Sequence, residues 1–216
     1  MINTIIFDFD GTIINTNELI EEGLNHFSFM HRGYRFTKEE ILELTGKPLE
    51  TQMAAVDKQL SKLLVEQFKV WYSNYHNQKT SAFPGMIELL RFLRGLNLNL
   101  AIVTNNSRAS LEMGLKHLGI EDLFHMTLSR DEVSATKPEP DGLIEVLNKF
   151  EVHPHEAIFI GDTDNDILAA KAAGVKSAMV AWTILDEESI KRLNPDHILN
   201  DPPHLLEMLN HSVEAA

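Results

Sequence analysis

The strongest constraint in this 216-residue chain is an alternation. Short apolar runs rich in β-branched residues each end in a polar turn and give way to a helical period. Thr4-Ile5-Ile6-Phe7 reads as a buried strand that stops at Asp8. Leu98, Leu100, Ile102 and Val103 mark a second strand, ending in Thr104-Asn105-Asn106. Phe124–Leu128, Ala157–Ile160 and Ser177–Ala181 read as three more, and His197-Ile198-Leu199 as a short edge strand. Between them lie helical periods: Leu111, Leu115, Leu118; then Leu143, Ile144, Leu147; then Ile167, Leu168, Ala170. Gly119 and Gly174 stand where C-caps are expected. Strands alternating with helices predict an α/β fold whose core is a Rossmann-like parallel sheet. Open sheets of this kind bind ligands beyond the C-terminal ends of their strands, where the polar residues here collect.

One region breaks the pattern. From about Asn15 to Gln78 there is no convincing strand, only helical periods such as Leu60, Leu63, Leu64, Trp71 and Tyr75. Ser81-Ala82-Phe83-Pro84-Gly85 supplies a turn before the alternation resumes. The simplest organisation is an α/β core of residues 1–14 and 80–216 with an all-helical insert, residues 15–79, placed after the first strand. The alternative is one irregular domain.

The chain carries a formal net charge of −13 and no cysteine. The charge argues against a general nucleic-acid binder, which must neutralise a phosphate backbone with clustered Lys and Arg. It also mildly repels an anionic substrate, so a site for one needs a metal or local positive charge. The missing thiols exclude disulfide scaffolds, Cys-type zinc sites and thiol nucleophiles. Met1-Ile2-Asn3-Thr4 lacks the basic start of a signal peptide, and no apolar run is long enough to span a bilayer. The expectation is a soluble, cytoplasmic protein, a monomer or homodimer, without nucleic-acid or membrane partners.

Four segments could carry chemistry. Asp8-Phe9-Asp10-Gly11-Thr12 places two carboxylates at i, i+2 at an apolar strand end, which is costly unless they are paired or bind a metal. Gly11 frees the backbone to turn there; the alternative is a plain Asp-Gly turn. Gly161-Asp162-Thr163-Asp164-Asn165-Asp166 puts Asp162 and Asp166 four apart, on one side if a helix begins between them. The alternative is acidic decoration of a helix start, and the spacing does not fit an EF-hand loop. Thr104-Asn105 offers a hydroxyl and amide N–H groups at a potential helix N-terminus, where phosphate binds readily, or else a plain cap. Lys137-Pro138-Glu139-Pro140 offers a point charge for a phosphoryl oxygen in a proline-fixed loop, or else a solvated lysine.

Together, and in this order, the four segments resemble the motifs of the haloacid dehalogenase superfamily. The resemblance covers about residues 1–14 and 80–200, and the helical insert is similar to that superfamily's cap. The acid at Asp10 resembles the superfamily's phosphatases and phosphomutases: its dehalogenases lack this acid, and its transporting ATPases carry Lys there. Asn15-Thr16-Asn17-Glu18, Met113-Gly114-Leu115, Ala181-Trp182-Thr183 and Asn194-Pro195-Asp196-His197 look like the phosphoglycolate phosphatase-like group, closest to its bacterial inorganic pyrophosphatase branch.

The resemblance implies a Mg²⁺-dependent hydrolase that forms an aspartyl-phosphate from a small phosphoanion, inorganic pyrophosphate or 2-phosphoglycolate. It implies Asp8 as nucleophile and Asp10 as general acid and base. Asp8, Asp162 and the Asp10 carbonyl would hold Mg²⁺, with Asp166 as an outer or water-bridged anchor. Gly11, Thr104, Asn105 and Lys137 would hold the phosphoryl group. Lys47, in Thr45-Gly46-Lys47-Pro48, would read the far end of the substrate under a closing cap hinged near Ile14–Thr16 and Ala82–Gly85, or else lie in a solvated turn; Arg108 is a weaker candidate, or else a surface residue of a helix start. The alternatives are a sugar phosphomutase of the β-phosphoglucomutase type and a regulatory module whose catalysis has lapsed. His153-Pro154-His155 reads as an exposed loop rather than a metal site, and Trp71, Tyr72 and Tyr75 as insert core.

Overall fold

The computed structural model describes residues 1–214, with side chains through Leu209; Ala215 and Ala216, the end of the expected core, lie outside the described residues. The chain divides into two compact units, residues 1–14 with 82–216, and residues 15–81. In chain order the elements begin with β1 (Thr4–Phe7) and β2 (Ile14–Asn15). Four helices follow: α1 (Asn17–Arg32), α2 (Lys38–Leu44), α3 (Leu49–Val56) and α4 (Ser61–Lys79). Next come β3 (Ser81–Ala82), α5 (Met86–Gly95), β4 (Asn99–Val103), α6 (Arg108–Leu118), β5 (Met126–Leu128) and α7 (Asp141–Phe150). The chain continues through β6 (Ala157–Gly161), α8 (Asp164–Ala173), β7 (Lys176–Val180), α9 (Glu187–Leu193), β8 (His197–Leu199) and α10 (His204–Glu214).

The larger unit is an α/β core around a parallel six-stranded sheet in the order β5-β4-β1-β6-β7-β8. Alternate residues of a strand point to opposite faces, and a parallel sheet covered on both faces must be apolar throughout. Ile5, Phe7, Leu100, Ile102, Ile158 and Ile160 meet Leu89, Leu90 and Leu93 of α5, Leu111 and Leu115 of α6 and Leu205 of α10. On the other face Ile6, Ala101, Val103 and Phe159 meet Leu143, Val146 and Leu147 of α7 and Ala169 and Ala170 of α8. Each large side chain so buried contributes on the order of 2 kcal/mol. The expected strand Phe124–Leu128 begins two residues later, because His125 turns its ring nitrogen to the Leu100 N–H while its own N–H donates to the Leu100 carbonyl. Gly119 and Gly174 cap α6 and α8 in the left-handed conformation expected of them.

The smaller unit is helical from Asn17 to Lys79. Its longest helix, α4, buries a different stripe from the one expected. Leu64, Val65, Phe68, Tyr72 and His76 face inward, whereas Leu63 and Tyr75 are exposed and Leu60 precedes the helix. Of the three aromatics assigned to the insert core, only Tyr72 is buried; Trp71 is half-buried. The rotation follows from α1, where Gly23 leaves room for ring edges: a Cβ there would lie 2.7 Å from both Phe68 and Trp71. Among the described residues, no helix is long and apolar enough to cross a membrane.

Candidate active site

Strand order decides where the four motifs meet. From β1 the chain moves to β4 and β5 on one side, then returns to β6 on the other. Crossovers therefore diverge at β1, and a crevice opens beyond the C-terminal ends of β1, β4 and β6. Asp8 follows β1, Thr104 follows β4, and Asp162 follows β6.

Asp8, Asp162 and Asp166 are all buried, and one carboxylate oxygen from each lies within 4.8 Å of the others. The ammonium of Lys137, itself buried, sits 2.6 Å from Asp166 Oδ1 and 2.8 Å from Asp8 Oδ1, over the Phe159 ring. The Asp8 contact is an ion pair, and this buried oxygen has no donor besides Lys137. Three buried carboxylates thus share one buried ammonium. A cation is the group that such a donor set fits, since uncompensated buried charge is expensive.

Each acid is held differently. Asp166 is saturated: Oδ1 accepts from Lys137, and Oδ2 accepts from the Asp162 and Thr163 N–H groups and the Thr163 hydroxyl. Helix α8 begins at Asp164, so Asp162 and Asp166 do fall on one side. Gly161 permits this, because a Cβ there would lie 2.4 Å from the Asp166 side chain. Asp162 accepts at Oδ1 from the Thr12 hydroxyl at 3.4 Å, and its carbonyl accepts from the Thr183 hydroxyl at 2.6 Å.

Gly11 turns the backbone as expected. Its φ of +76° closes the turn, but its N–H donates to the Ile14 carbonyl and so is committed within the loop. Its contribution is space: a Cβ at Gly11 would lie 2.1 Å from Asp162 Oδ2. Asn105 clamps the lysine, donating from Nδ2 to the Lys137 carbonyl and accepting the Lys137 N–H at Oδ1, both at 2.9 Å. Thr104 is buried, and its hydroxyl accepts from the Asn106 N–H. Neither caps a helix. The helix expected here starts at Arg108 with Ser107 as its N-cap.

These loops and the sheet behind them match known proteins. The profile of haloacid dehalogenase-like hydrolases matches residues 5–180. The chain belongs to the haloacid dehalogenase-like hydrolase family. It is 35% identical over 205 residues to the pyrophosphatase PpaX of Bacillus pumilus, covering 95% of both chains. It is 32% identical over 211 residues to PpaX of Oceanobacillus iheyensis, covering 98% of both. A predicted phosphoglycolate phosphatase from Haemophilus somnus has the same fold, with a TM-score of 0.86 over 96% of this chain and 98% of that one, at 24% identity.

Lys47 belongs to the helical unit, in the loop between α2 and α3, where Gln52 holds its carbonyl. Arg108 is committed to a clamp: its guanidinium donates to both Glu132 oxygens at 2.6 Å and to the Thr127 hydroxyl and carbonyl. That clamp holds Glu132 down at about 2 and removes Arg108 as a substrate reader. The rings of His153 and His155 stack 5.5 Å apart, and among the described residues neither joins a group of three metal-ligating side chains. Sequence reasoning missed Asn106, Thr12, Thr163 and Thr183 as supports. Trp182 and Thr183 drew notice only by resemblance, yet the Trp182 indole donates to the Thr12 carbonyl and Thr183 holds Asp162.

Burial pushes Asp8 up to about 7 despite the opposing pull of Lys137, and burial with Asp166 and Asp8 nearby raises Asp162 well above the carboxylate range. In the unfolded chain both titrate at about 4. Between about pH 4 and 7 the folded, metal-free protein keeps protons that the unfolded chain has lost, so its stability falls as pH rises through that window. The metal-free thermal midpoint should therefore drop from pH 5 to pH 8 more in the wild type than in Asp8→Asn. That comparison cancels His125 and His197, whose pKa burial lowers. Mg²⁺ should recover the midpoint mainly at pH 8. Equal drops in the two proteins would show that Asp8 carries no such cost.

Proposed function

We propose that this hydrolase cleaves a phosphoryl group from a small phosphoanion, with inorganic pyrophosphate the favoured substrate and 2-phosphoglycolate the next. The observation that carries the reading is the buried Asp8–Lys137–Asp166 pair of contacts beside Asp162, an excess of negative charge built around one fixed ammonium. Relatives named as pyrophosphatases, similar over nearly the whole chain, support pyrophosphate among the candidates.

In this reading an Asp8 oxygen attacks phosphorus as the bond to the leaving oxygen breaks, giving an aspartyl-phosphate. Asp10 gives its proton to the leaving oxygen, then takes one from the water that cleaves the acyl phosphate and regenerates Asp8. Lys137 and the Thr104 and Asn105 groups hold the phosphoryl oxygens while charge builds on them. The Asp8 and Asp162 carboxylates and the Asp10 carbonyl would hold Mg²⁺, which offsets the charge of substrate and carboxylates when bound. Asp166, with both oxygens already engaged, anchors Lys137 and the 162–163 backbone. We assign the helical unit the role of cap and Lys47 that of contact to the distal end of the substrate.

The test is phosphate release, with and without Mg²⁺, from pyrophosphate, 2-phosphoglycolate, sugar phosphates and nucleotides. Mg²⁺-dependent release with pyrophosphate foremost is expected. On the best substrate, Lys47→Ala should raise KM about tenfold, the loss of roughly one charged contact. Release from no member of the panel would sink the reading. Interconversion of sugar phosphates without release, dependent on a bisphosphate, would replace it with a mutase.

A further inference from the structure

Asn106 follows the two motif residues Thr104 and Asn105 and belongs to no reading above. Its side chain is half-buried and fixed at both ends. Oδ1 accepts from the N–H of Ser107, the N-cap of α6, at 2.9 Å, and Nδ2 donates to Asp10 Oδ2 at 2.8 Å. The backbone is fixed too: its N–H donates to the Thr104 hydroxyl, and its carbonyl accepts from the Arg130 N–H. Because Oδ1 faces an N–H, the amide cannot be turned over without placing an NH₂ against a donor. The group presented to Asp10 is therefore an obligatory donor.

We propose that Asn106 is the positioning residue for the proton of Asp10. The inference rests on the reading of Asp10 as general acid. An N–H aimed at Oδ2 favours the unprotonated, better-accepting oxygen there, so a proton on Asp10 is favoured at Oδ1. Asn106 thereby selects the oxygen that delivers the proton and fixes the plane of the carboxyl group. Helix α6 serves as the rigid mount through Ser107, and the alignment costs no rearrangement at the moment of transfer.

Positioning of an acid matters in proportion to how badly the leaving group needs a proton. p-Nitrophenolate departs readily without one, whereas an alkoxide does not. With Asn106→Ala, kcat on an alkyl phosphate should fall about 10- to 100-fold, part of what general acid catalysis supplies. The loss on p-nitrophenyl phosphate should be about tenfold smaller, with KM for both changed little. Asn106→Leu, which keeps the branched shape, lacks the donor and adds no charge, should show the same selectivity even if the alanine variant folds poorly. In the Asp10→Ala background, Asn106→Ala should add almost nothing, because residues that act as one unit are not additive. Equal losses on both substrates, or full additivity with Asp10→Ala, would overturn the proposal. If Asp10→Ala were itself indifferent to the leaving group, the acid role of Asp10 would fall, which is a separate result.

Discussion

Asp8→Asn should abolish turnover, by about 10⁴-fold or more, while leaving the metal-free protein at pH 8 at least as stable as the wild type. The two effects share one cause. In the proposed mechanism the carboxylate is the nucleophile because its oxygens are electron-rich, and an amide oxygen in the same place is not. Yet the ionised carboxylate is unwelcome in the fold, since burial raises Asp8 to about 7 even beside Lys137. Above that pH the native state bears a charge that the unfolded chain carries at no penalty, and asparagine removes it. Thermal unfolding with a chelator and phosphate release on the same preparations measure both quantities. Stabilisation by Mg²⁺ should weaken in the variant, which offers the ion one charge fewer. Residual turnover within about 100-fold of wild type would exclude attack by Asp8, since loss of a nucleophile costs far more.

Lys137→Ala should be damaging in both respects. Lys137 is buried and contacts Asp8 at 2.8 Å and Asp166 at 2.6 Å. Burial disfavours its charge, but Asp166 and Asp8 more than compensate and raise its pKa above the usual lysine value. Removing one partner of a buried ion pair leaves the other uncompensated, at about 3–5 kcal/mol. In a chain of this size that corresponds to a fall of roughly 10 °C in Tm. The sign with pH is definite. Without the ammonium, the pull that opposes burial at Asp8 is gone and Asp8 is driven further toward its protonated form, so the destabilisation should be smaller at pH 5 than at pH 8. Turnover should fall about 100-fold or more, because the proposed mechanism sets this charge opposite the phosphoryl oxygens. Thermal melts at the two pH values test the first part, and an unchanged Tm at pH 8 would refute it.

The chain's own pattern exposed the sheet because parallel strands are buried on both faces and must be apolar runs. Five such runs and a short edge strand were readable as local signals, with boundaries shifted by a residue or two. Helix α4 was not readable in the same way. Its aromatic and aliphatic residues surround much of the cylinder, and the small side chain of Gly23 on a neighbouring helix decided which of them turned inward. Arg108 shows the same limit at the site. As a helix-start arginine near a motif it could have served a phosphoanion, but Glu132 and Thr127, distant in sequence, engage all three of its guanidinium nitrogens. Asn106 went unnoticed for the complementary reason, since a second asparagine after a strand carries no signal until Asp10 is placed beside it.

The sequence alone determined the inventory: which acids, which lysine, which strand ends, and a net charge of −13 that any anionic substrate must overcome. Those are properties of residue type and local period, which the chain displays without folding. The tertiary structure decided the assignments. It placed Asp8, Asp162 and Asp166 within reach of one another, gave Asp166 to Lys137 and the 162–163 backbone, and used Gly11 to make room for Asp162. Residues 8, 137 and 162 meet only because β1 lies between β4 and β6 in the sheet. Burial then makes an excess of carboxylates, harmless on a surface, costly to ionise, and that is why the cluster could hold a cation.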